Sequence, residues 1–283
     1  MMKRFVLLIF AAFLSFAALA QDAAEMINKA NEAMKNRQYA EAFELYDNAM
    51  KNLGDVQVDA SINFNIGFAA MQADKNEAAL TYFDKAIEAE ANVSKAWEYK
   101  GTVYNKMKDA AKALECFEKA IETSEEDTGA LSFNSAVLAF RLENFEKTVK
   151  HFNEAIAANF RPEDAYFNKA AALKRMGNDE LYEATLVEAN TKFPADQKIA
   201  GALANVYVGS GNELYTGGAA IINAANQKVN DGAMTTADDA YTAELDKAKV
   251  EFKKAVELLE KALKLDPKNA NAQKLIDACK QLL

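Results

Sequence analysis

The sequence predicts an all-α fold made of repeated helical hairpins. The composition favours helix, because Ala, Glu, Lys and Leu dominate and only three prolines occur. Triples of residues, mostly small–large–small, also recur at steps of four and three positions, which places each triple on one face of a helix. The first five triples begin 34 to 37 residues apart, a period typical of stacked helix pairs. The triples are Ala42-Tyr46-Ala49, Ala79-Phe83-Ala86, Ala113-Phe117-Ala120, Thr148-Phe152-Ala155, Tyr182-Leu186-Ala189 and Ala255-Leu259-Ala262.

Residues 1–20 have the pattern of a secretory signal peptide. A short basic start precedes residues 5–20, which are apolar except for Ser15 and end in the small-x-small pattern Ala-Leu-Ala. The mature chain is therefore expected to begin at Gln21 and to lie in the periplasm or outside the cell. The alternative, an uncleaved membrane anchor, is disfavoured because this run would span about 24 Å as a helix, whereas a hydrocarbon core is roughly 30 Å thick.

Five clear repeats are expected in residues 21–195, each with a first helix, a short turn and a second helix. In the first helices a small residue recurs twelve positions before each triple. These small residues are Ala30, Gly67, Gly101, Ala136 and Ala170, and Ala204 is expected to continue the series twelve positions before Thr216. Small residues on facing helices allow the two backbones to approach closely, and the large residue of each triple then fills the space toward the next hairpin.

Residues 196–269 depart from the pattern and are interpreted as two divergent repeats, at about 197–229 and 236–269. In the first of them the triple is replaced by Thr216, Ala220 and Asn223, and six of the eleven glycines fall between positions 201 and 232. Small side chains bury little apolar area, and a glycine in a helix costs roughly 1 kcal/mol relative to alanine. This segment is thus predicted to be the weakest part of the array. It is either a hinge or close-contact surface, or a decayed repeat with a loop near Asn230-Asp231-Gly232.

Residues 270–283 are predicted to form a final amphipathic helix that caps the array. Its apolar residues share one face, with charged residues opposite. The apolar residues are Ala272, Leu275, Ile276, Cys279 and Leu283. A terminal repeat would otherwise expose its apolar side, so a helix at this position is expected to cover it.

These repeats resemble the tetratricopeptide repeat family. The third repeat carries the fullest signature, with Trp97, Gly101, Tyr104, Ala113, Phe117 and Ala120, and the last ends in Ala-Leu-Lys-Leu-Asp-Pro-Lys-Asn around Pro267. The resemblance implies a right-handed superhelical solenoid whose first helices line a concave groove. In this family such a groove holds another protein or an extended peptide.

The resemblance also indicates which residues would line the groove. Two adjacent positions of the first helices read apolar-Asn in four repeats, with two further phenylalanines on the same side. The candidate peptide-binding residues are Asn28, Phe64, Asn65, Phe68, Phe133, Asn134, Phe140, Phe167 and Asn168. An amide can donate to and accept from a peptide unit, so a row of them could track an extended chain, similar to the asparagine ladder of the O-GlcNAc transferase repeat domain. Alternatively, the asparagines bridge neighbouring helices and the aromatic residues belong to the core.

The charge and the titratable residues argue against nucleic-acid binding and catalysis. The chain has 42 Asp and Glu against 33 Lys and Arg, and an acidic chain repels phosphate backbones. The only histidine, His151, has no Cys or His partner at ligand spacing, and no nucleophile motif, phosphate-binding glycine loop or metal-spaced cluster occurs. We therefore expect no enzyme activity, no cofactor and no metal. Cys116 and Cys279 are expected to be buried free thiols.

The sequence thus predicts a non-catalytic scaffold or adaptor of the cell envelope that binds a protein or peptide in its concave groove. Neither nucleic acid nor membrane insertion after signal cleavage is expected. Two alternatives remain open. One is a structural solenoid that assembles end to end, and the other is an accessory binding subunit of an envelope enzyme or transport complex.

Overall fold

The computed structural model describes residues 22–53 and 57–283, and within these residues every regular element is a helix. The predicted signal segment lies outside the described residues. The helices are α1 (22–35), α2 (Tyr39–Lys51), α3 (Ile62–Gln72), α4 (Asn76–Glu88), α5 (Val93–Lys106), α6 (Ala110–Glu122), α7 (Gly129–Arg141), α8 (Phe145–Ala157), α9 (Pro162–Arg175), α10 (Asp179–Lys192), α11 (Gln197–Asn230), α12 (Asp239–Leu265) and α13 (Ala270–Gln281). The all-α fold of helical hairpins is confirmed.

The chain divides into two compact units. The N-terminal unit extends to Phe160 and contains the hairpins α1–α2, α3–α4, α5–α6 and α7–α8. The C-terminal unit, Arg161–Leu283, contains α9–α10, α11–α12 and α13.

The small residues of the first helices lie directly against the large residues of the second helices. A Cβ atom added to Gly101 would lie 2.5 Å from the ring of Phe117, and one added to Gly67 would lie 2.7 Å from the ring of Phe83. Since no side chain fits in such a gap without a shift of the neighbouring ring, these glycines set the distance between the paired helices. The packing role predicted for both glycines is confirmed.

In the five hairpins from α1–α2 to α9–α10, the turn contains a left-handed residue, and the residue after it directly precedes the second helix. The left-handed positions include Lys108 (φ 65°) and Gly177 (φ 71°). The next residue caps the second helix in three hairpins, where Asp109, Asn144 and Asn178 accept a hydrogen bond from the backbone N–H three residues on. These caps satisfy backbone donors that would otherwise lack partners at the helix start.

The structure differs from the expected hairpins at about 197–229 and 236–269. Each of these segments is mainly one long helix, α11 of 34 residues and α12 of 27, and the two helices form a single extended hairpin. The helix does not break near Thr216 because its small residues pack tightly on α12: a Cβ atom on Gly211 or Gly218 would lie 2.7 Å from Leu259 or Phe252 respectively. Gly211 and Gly218 thus form a close-contact surface with α12, whereas the other four glycines of the segment have nothing within 4 Å of a Cβ position.

The core of this extended hairpin joins the triple at 255–262 to α11. Buried residues of both helices and of α13 form one cluster, namely Ala204, Ala248, Phe252, Ala255, Leu259, Ala262, Ala272, Ile276 and Cys279. The small residue Ala204 therefore pairs with a triple about fifty positions later along the chain, not with residues twelve positions on. The loop between the helices, 231–238, includes the expected turn at Gly232, whose φ is 73°.

The C-terminal helix is present and packs as a cap within its unit. Ala272, Ile276 and Cys279 of α13 are buried in the cluster with α11 and α12. Leu283 differs from the expectation, because it follows the end of the helix and is exposed. The helix thus covers the apolar side of the last hairpin with three residues from consecutive turns.

Candidate peptide-binding clefts

The first candidate site is a cleft between α1 and the start of α3, here called the N-terminal cleft. It encloses about 770 Å³, part of it open to solvent. Its lining comes from α1, the segment 57–61 and α3, and consists of Ala24, Ile27, Asn28, Asn31, Gln57, Val58, Asp59, Ser61, Ile62 and Asn65. The structure therefore brings together Asn28 and Asn65, two of the predicted groove asparagines, from successive first helices.

The amides of this cleft differ in their availability. Asn31 is held in place, because its Oδ1 accepts a hydrogen bond of 2.5 Å from the hydroxyl of the buried Tyr46. The side chains of Asn28 and Asn65 have no hydrogen-bond partner among the residues that the structure describes. Asn28 is exposed and Asn65 is half-buried. Both amides can thus donate to and accept from a ligand.

The cleft also carries one carboxylate. Asp59 Oδ1 accepts a 2.8 Å hydrogen bond from the backbone N–H of Ser61. Hydrogen bonds from Ser61 hold the pKa of the Asp59 carboxyl below its ordinary value, so the group is ionised at neutral pH. Apolar contact area is supplied by the half-buried Ile27 and Val58.

The predicted aromatic residues of the second repeat form a cluster with Tyr99. The ring of Phe64 stacks on Tyr99 with centroids 5.6 Å apart, and Phe68 lies 5.3 Å from the same ring. Tyr99 occupies the position of the third repeat where asparagine stands in the second. In the sequence the third repeat reads Glu98-Tyr99 and so breaks the apolar-Asn series, and this break is the only sequence signal for Tyr99. These ring contacts join α3 to α5. Because Phe64 and Phe68 are only half-buried, each also keeps part of its surface exposed.

In the fourth repeat the structure places the predicted aromatic residue in the core and not on a surface. Phe133 is only 5% exposed, and its ring lies edge-on to Phe152 at 5.4 Å and to Phe160 at 5.8 Å. A buried ring of this kind contributes packing energy to the hairpin, so no ligand reaches it in this conformation. Its neighbour Asn134 is exposed, and Phe140 is half-buried with its ring edge-on to Phe145 at 5.6 Å.

A second cleft lies in the C-terminal unit between α9, α10 and the start of α11. It includes the predicted residue Phe167 and is lined by Phe167, Ala170, Ala171, Lys174, Arg175, Tyr182, Leu186 and Ala202. The ammonium group of Lys174 lies 5.1 Å from the centre of the Tyr182 ring. Asn168 does not line this cleft, and its Nδ2 donates to the carbonyl of Asp164 in its own helix. The asparagine series therefore does not continue into this site.

The only histidine has a structural role in the N-terminal unit. His151 is 1% exposed; its Nδ1 lies 2.8 Å from a carboxylate oxygen of Glu154, and its Nε2 lies 3.0 Å from one of Glu118. Ser132 donates to Glu154, and Lys147 donates to Glu118. This network connects α6, α7 and α8 through hydrogen bonds.

The described part of the chain contains no metal site and no reactive thiol that the sequence did not predict. No group of three or more His, Cys, Asp or Glu residues there is arranged to hold a metal ion. Cys116 and Cys279 are buried free thiols, as expected, and burial raises the pKa of Cys116 to about 11. Within residues 22–53 and 57–283, no helix has both the length and the apolar character needed to cross a bilayer.

Comparison with known proteins identifies the repeats. Two models of the tetratricopeptide repeat family match the chain, one over residues 27–92 and 64–130 and the other over residues 244–269. These segments contain the triples beginning at positions 42, 79, 113 and 255. No curated protein matches the sequence significantly.

Solved structures show similarity at low sequence identity. The chain is similar to a TPR repeats protein from Bacteroides fragilis, with 22% identity, 93% of this chain and 99% of that chain covered, and a TM-score of 0.39. A tetratricopeptide repeat protein from Parabacteroides merdae is 18% identical, with 92% of this chain and 99% of that chain covered and a TM-score of 0.48. YrrB, described as a TPR protein with an unusual peptide-binding site, is 20% identical, with 76% of this chain and 91% of that chain covered and a TM-score of 0.44.

Proposed function

Because this chain belongs to the tetratricopeptide repeat family, whose proteins are protein-interaction scaffolds, we propose that it is a non-catalytic adaptor that binds an extended peptide or a protein segment on its first helices. The observation that supports this most is the N-terminal cleft. In it Asn28 and Asn65, from successive first helices, have side-chain amides without partners in the described structure. Each amide can both donate and accept, so two of them in one cleft suit the N–H and C=O groups of a peptide backbone.

The magnitudes require apolar contacts as well as amides. Each neutral hydrogen bond contributes a net stabilisation of about 0.5–1.5 kcal/mol, and association costs at least about 4 kcal/mol of lost freedom. Two asparagines alone would therefore hold a peptide weakly. Ile27 and Val58 line the same cleft, so an apolar side chain of the partner placed between them would supply the remaining affinity.

We place this adaptor in the cell envelope because residues 1–20 have the pattern of a signal peptide. The mature protein should begin at Gln21 and be released with the soluble fraction after osmotic shock. Intact-mass analysis of that fraction measures the first residue. Retention of residues 1–20 together with recovery in the membrane pellet would contradict export as a soluble protein.

The adaptor function is tested by site-specific crosslinking in the native host. A photoreactive amino acid placed at Asn28 should crosslink to a partner, which mass spectrometry then identifies. The matched control is Glu77, an exposed residue of the second helix α4 that lies outside the cleft. Crosslinks of equal yield at both positions would contradict a specific site in the cleft.

The identified partner then allows a direct test of the amides. Asn28→Leu combined with Asn65→Leu keeps side chains of similar size and removes both amides, so it should weaken binding of that partner severalfold while leaving the helical content unchanged. If the crosslinked partner at Asn28 is a second copy of this chain, the self-assembling solenoid is the better description. Solution mass would then show a concentration-dependent oligomer.

A further inference from the structure

A third cleft in the C-terminal unit has walls from the second helices and not from neighbouring first helices. It lies between α10 and the end of α12, with α11 beneath, and is here called the lysine cleft. Its lining consists of Val187, Asn190, Thr191, Leu203, Tyr207, Lys261, Lys264 and Leu265. The cleft encloses about 500 Å³, mostly open to solvent. None of the clefts described above shares a residue with it.

The floor and one wall of the lysine cleft are apolar. Leu203 is 3% exposed and forms the floor, while Val187 on α10 is 39% exposed. Tyr207 and Leu265 are half-buried and complete the apolar surface. A bulky apolar side chain entering here would bury area against four residues that are already held by the hairpin.

The rim of the cleft carries two cations without carboxylate partners. Lys261 and Lys264 lie three residues apart on α12, and neither forms an ion pair within the described structure. Two other lysines of the same helix do form ion pairs, Lys247 with Glu244 at 3.2 Å and Lys254 with Glu251 at 2.9 Å.

The ammonium group of Lys261 lies 6.0 Å from the centre of the Tyr207 ring, which places it over the cleft. Burial and the nearby Glu183 carboxylate raise the pKa of Tyr207. The two ammonium groups at the rim outweigh this one negative charge, so the cleft attracts negative charge.

The wall opposite the lysines contains an acceptor without a donor. Asn190 lines the cleft, and its Oδ1 is buried with no hydrogen-bond partner among the described residues. An unsatisfied buried polar atom costs about 1–3 kcal/mol. A backbone N–H of a bound peptide would satisfy it after a small rotation of the amide.

We propose that the lysine cleft binds an acidic peptide segment in which a bulky apolar side chain lies beside a carboxylate. The apolar side chain rests on Leu203 and Val187, and the carboxylate pairs with Lys261 or Lys264. A backbone N–H of the segment donates to Asn190. The proposal relies on the adaptor function only for the peptide nature of the partner, and it uses a different surface of the protein.

Peptide selection tests this directly. A random peptide library displayed on phage is selected on the immobilised mature protein, and enriched sequences are synthesised and measured by fluorescence anisotropy. Enriched peptides should place Asp or Glu within two residues of a bulky apolar residue. Lys261→Glu with Lys264→Glu should weaken their binding by about tenfold or more, because attraction becomes repulsion. Val187→Asp should weaken it as well.

The control is Lys249→Glu with Lys253→Glu, which makes the same charge change on the same helix outside the cleft. This variant should bind the acidic peptides nearly as the unmodified protein does. Equal losses in the two charge variants, or no enrichment of acidic peptides, would overturn the proposal. Circular dichroism of each variant checks that the helices remain folded.

Two further outcomes separate the explanations. In one outcome, the peptides bind the Asn28→Leu, Asn65→Leu variant weakly but bind the Lys261→Glu, Lys264→Glu variant normally. This result would support the adaptor function and overturn the inference about the lysine cleft. Vesicles with anionic headgroups provide the other comparison. Lysine-dependent binding to them, without lysine-dependent binding to peptides, would assign the cleft to a lipid surface instead.

Discussion

At the scale of single residues, the absence of a Cβ atom at one position decides how closely two helices approach. Gly101 lies against the ring of Phe117 and the carbonyl of Ala113, whereas Gly209 on α11 has nothing within 4 Å of the position of a Cβ atom. Both glycines are inside helices, so both would gain the same helix propensity on substitution by alanine. Their difference isolates the contribution of close packing.

We expect Gly209→Ala to raise the free energy of unfolding by about 0.5–1 kcal/mol through helix propensity. Gly101→Ala should lower it by about 1 kcal/mol or more, because the added methyl group displaces the Phe117 ring. Urea unfolding followed by circular dichroism measures both. Stabilisation by both substitutions would show that α5 and α6 can separate without cost.

The carboxylate of Glu118 should contribute to acid sensitivity. Burial opposes its ionisation, but hydrogen bonds from Lys147 and His151 outweigh burial and hold the pKa of Glu118 below its ordinary value of 4.5. A carboxyl whose pKa is lowered in the folded state stabilises the fold above the unfolded pKa, and this contribution disappears as the pH falls through the folded pKa.

The free energy of unfolding should therefore decrease between neutral pH and the region below pH 4.5, and Glu118→Gln should reduce that decrease. The matched control is Glu115→Gln, an exposed position of the same helix. Urea unfolding at several pH values gives the comparison. If both substitutions change the pH dependence equally, the buried network around His151 is not responsible.

At the scale of helices, the start of each second helix is a repeated element with a variable cap. Asp109, Asn144 and Asn178 accept a backbone hydrogen bond there, but Gln38 at the corresponding position before α2 makes no such bond. The backbone of Gln38 (φ −85°, ψ 61°) is close to that of Asp109 (φ −91°, ψ 77°). A shorter side chain at this position would therefore reach the free N–H.

Gln38→Asn should raise the free energy of unfolding by about 0.5–1 kcal/mol, and Asn144→Ala should lower it by about 0.5–2 kcal/mol. Thermal unfolding monitored by circular dichroism provides the measurement. A loss of stability in the Gln38 variant would mean that its backbone does not adopt the capping conformation in solution.

The end of the extended hairpin should be its least protected part. Near the start of α11, Leu203 packs against residues of both α10 and α12. Farther along the helix, Gly218 and Asn226 contact residues of α12. Amide hydrogen exchange in residues 219–235 should therefore be faster than in residues 199–211. Mass spectrometry of proteolytic fragments resolves the two segments. Uniform protection along α11 would contradict this gradient.

The helices that the sequence predicts correctly are those in which the same local spacing of residues recurs. The triples identified the second helices α2, α4, α6, α8 and α10 because a four–three spacing fixes one face of a helix. The same rule misplaced the partner of Ala204, because its triple lies across a loop and only the folded hairpin brings it near. Site residues show the same limit. Phe64 and Phe133 occupy equivalent positions and both pack against two rings, yet only Phe133 is buried.

At the scale of the whole molecule, the two compact units each contain their own buried core. In the C-terminal unit, Phe252, Leu259 and Ile276 are buried by residues of α11, α12 and α13 alone. A core enclosed within one unit predicts that the unit can fold without the rest of the chain.

The fragment 161–283 should therefore be helical by circular dichroism and cooperative in urea unfolding. A fragment lacking residues 270–283 as well should lose stability, because α13 covers Leu259 and its neighbours. A fragment 161–283 that unfolds without a cooperative transition would show that its core needs the preceding hairpins.

The buried positions of the extended hairpin have the spacing of an antiparallel coiled coil. On α11, beyond its buried first turn, they fall at Ala204, Gly211, Gly218 and Ala225. On α12 they fall at alternating steps of four and three from Ala248 to Ala262. A seven-residue repeat keeps the same face toward the partner only when whole heptads are added or removed. The extended hairpin can therefore change its length only in steps of seven residues per helix. Inserting or deleting seven residues in both helices should change the length of the extended hairpin by about 10 Å and keep the same faces in contact.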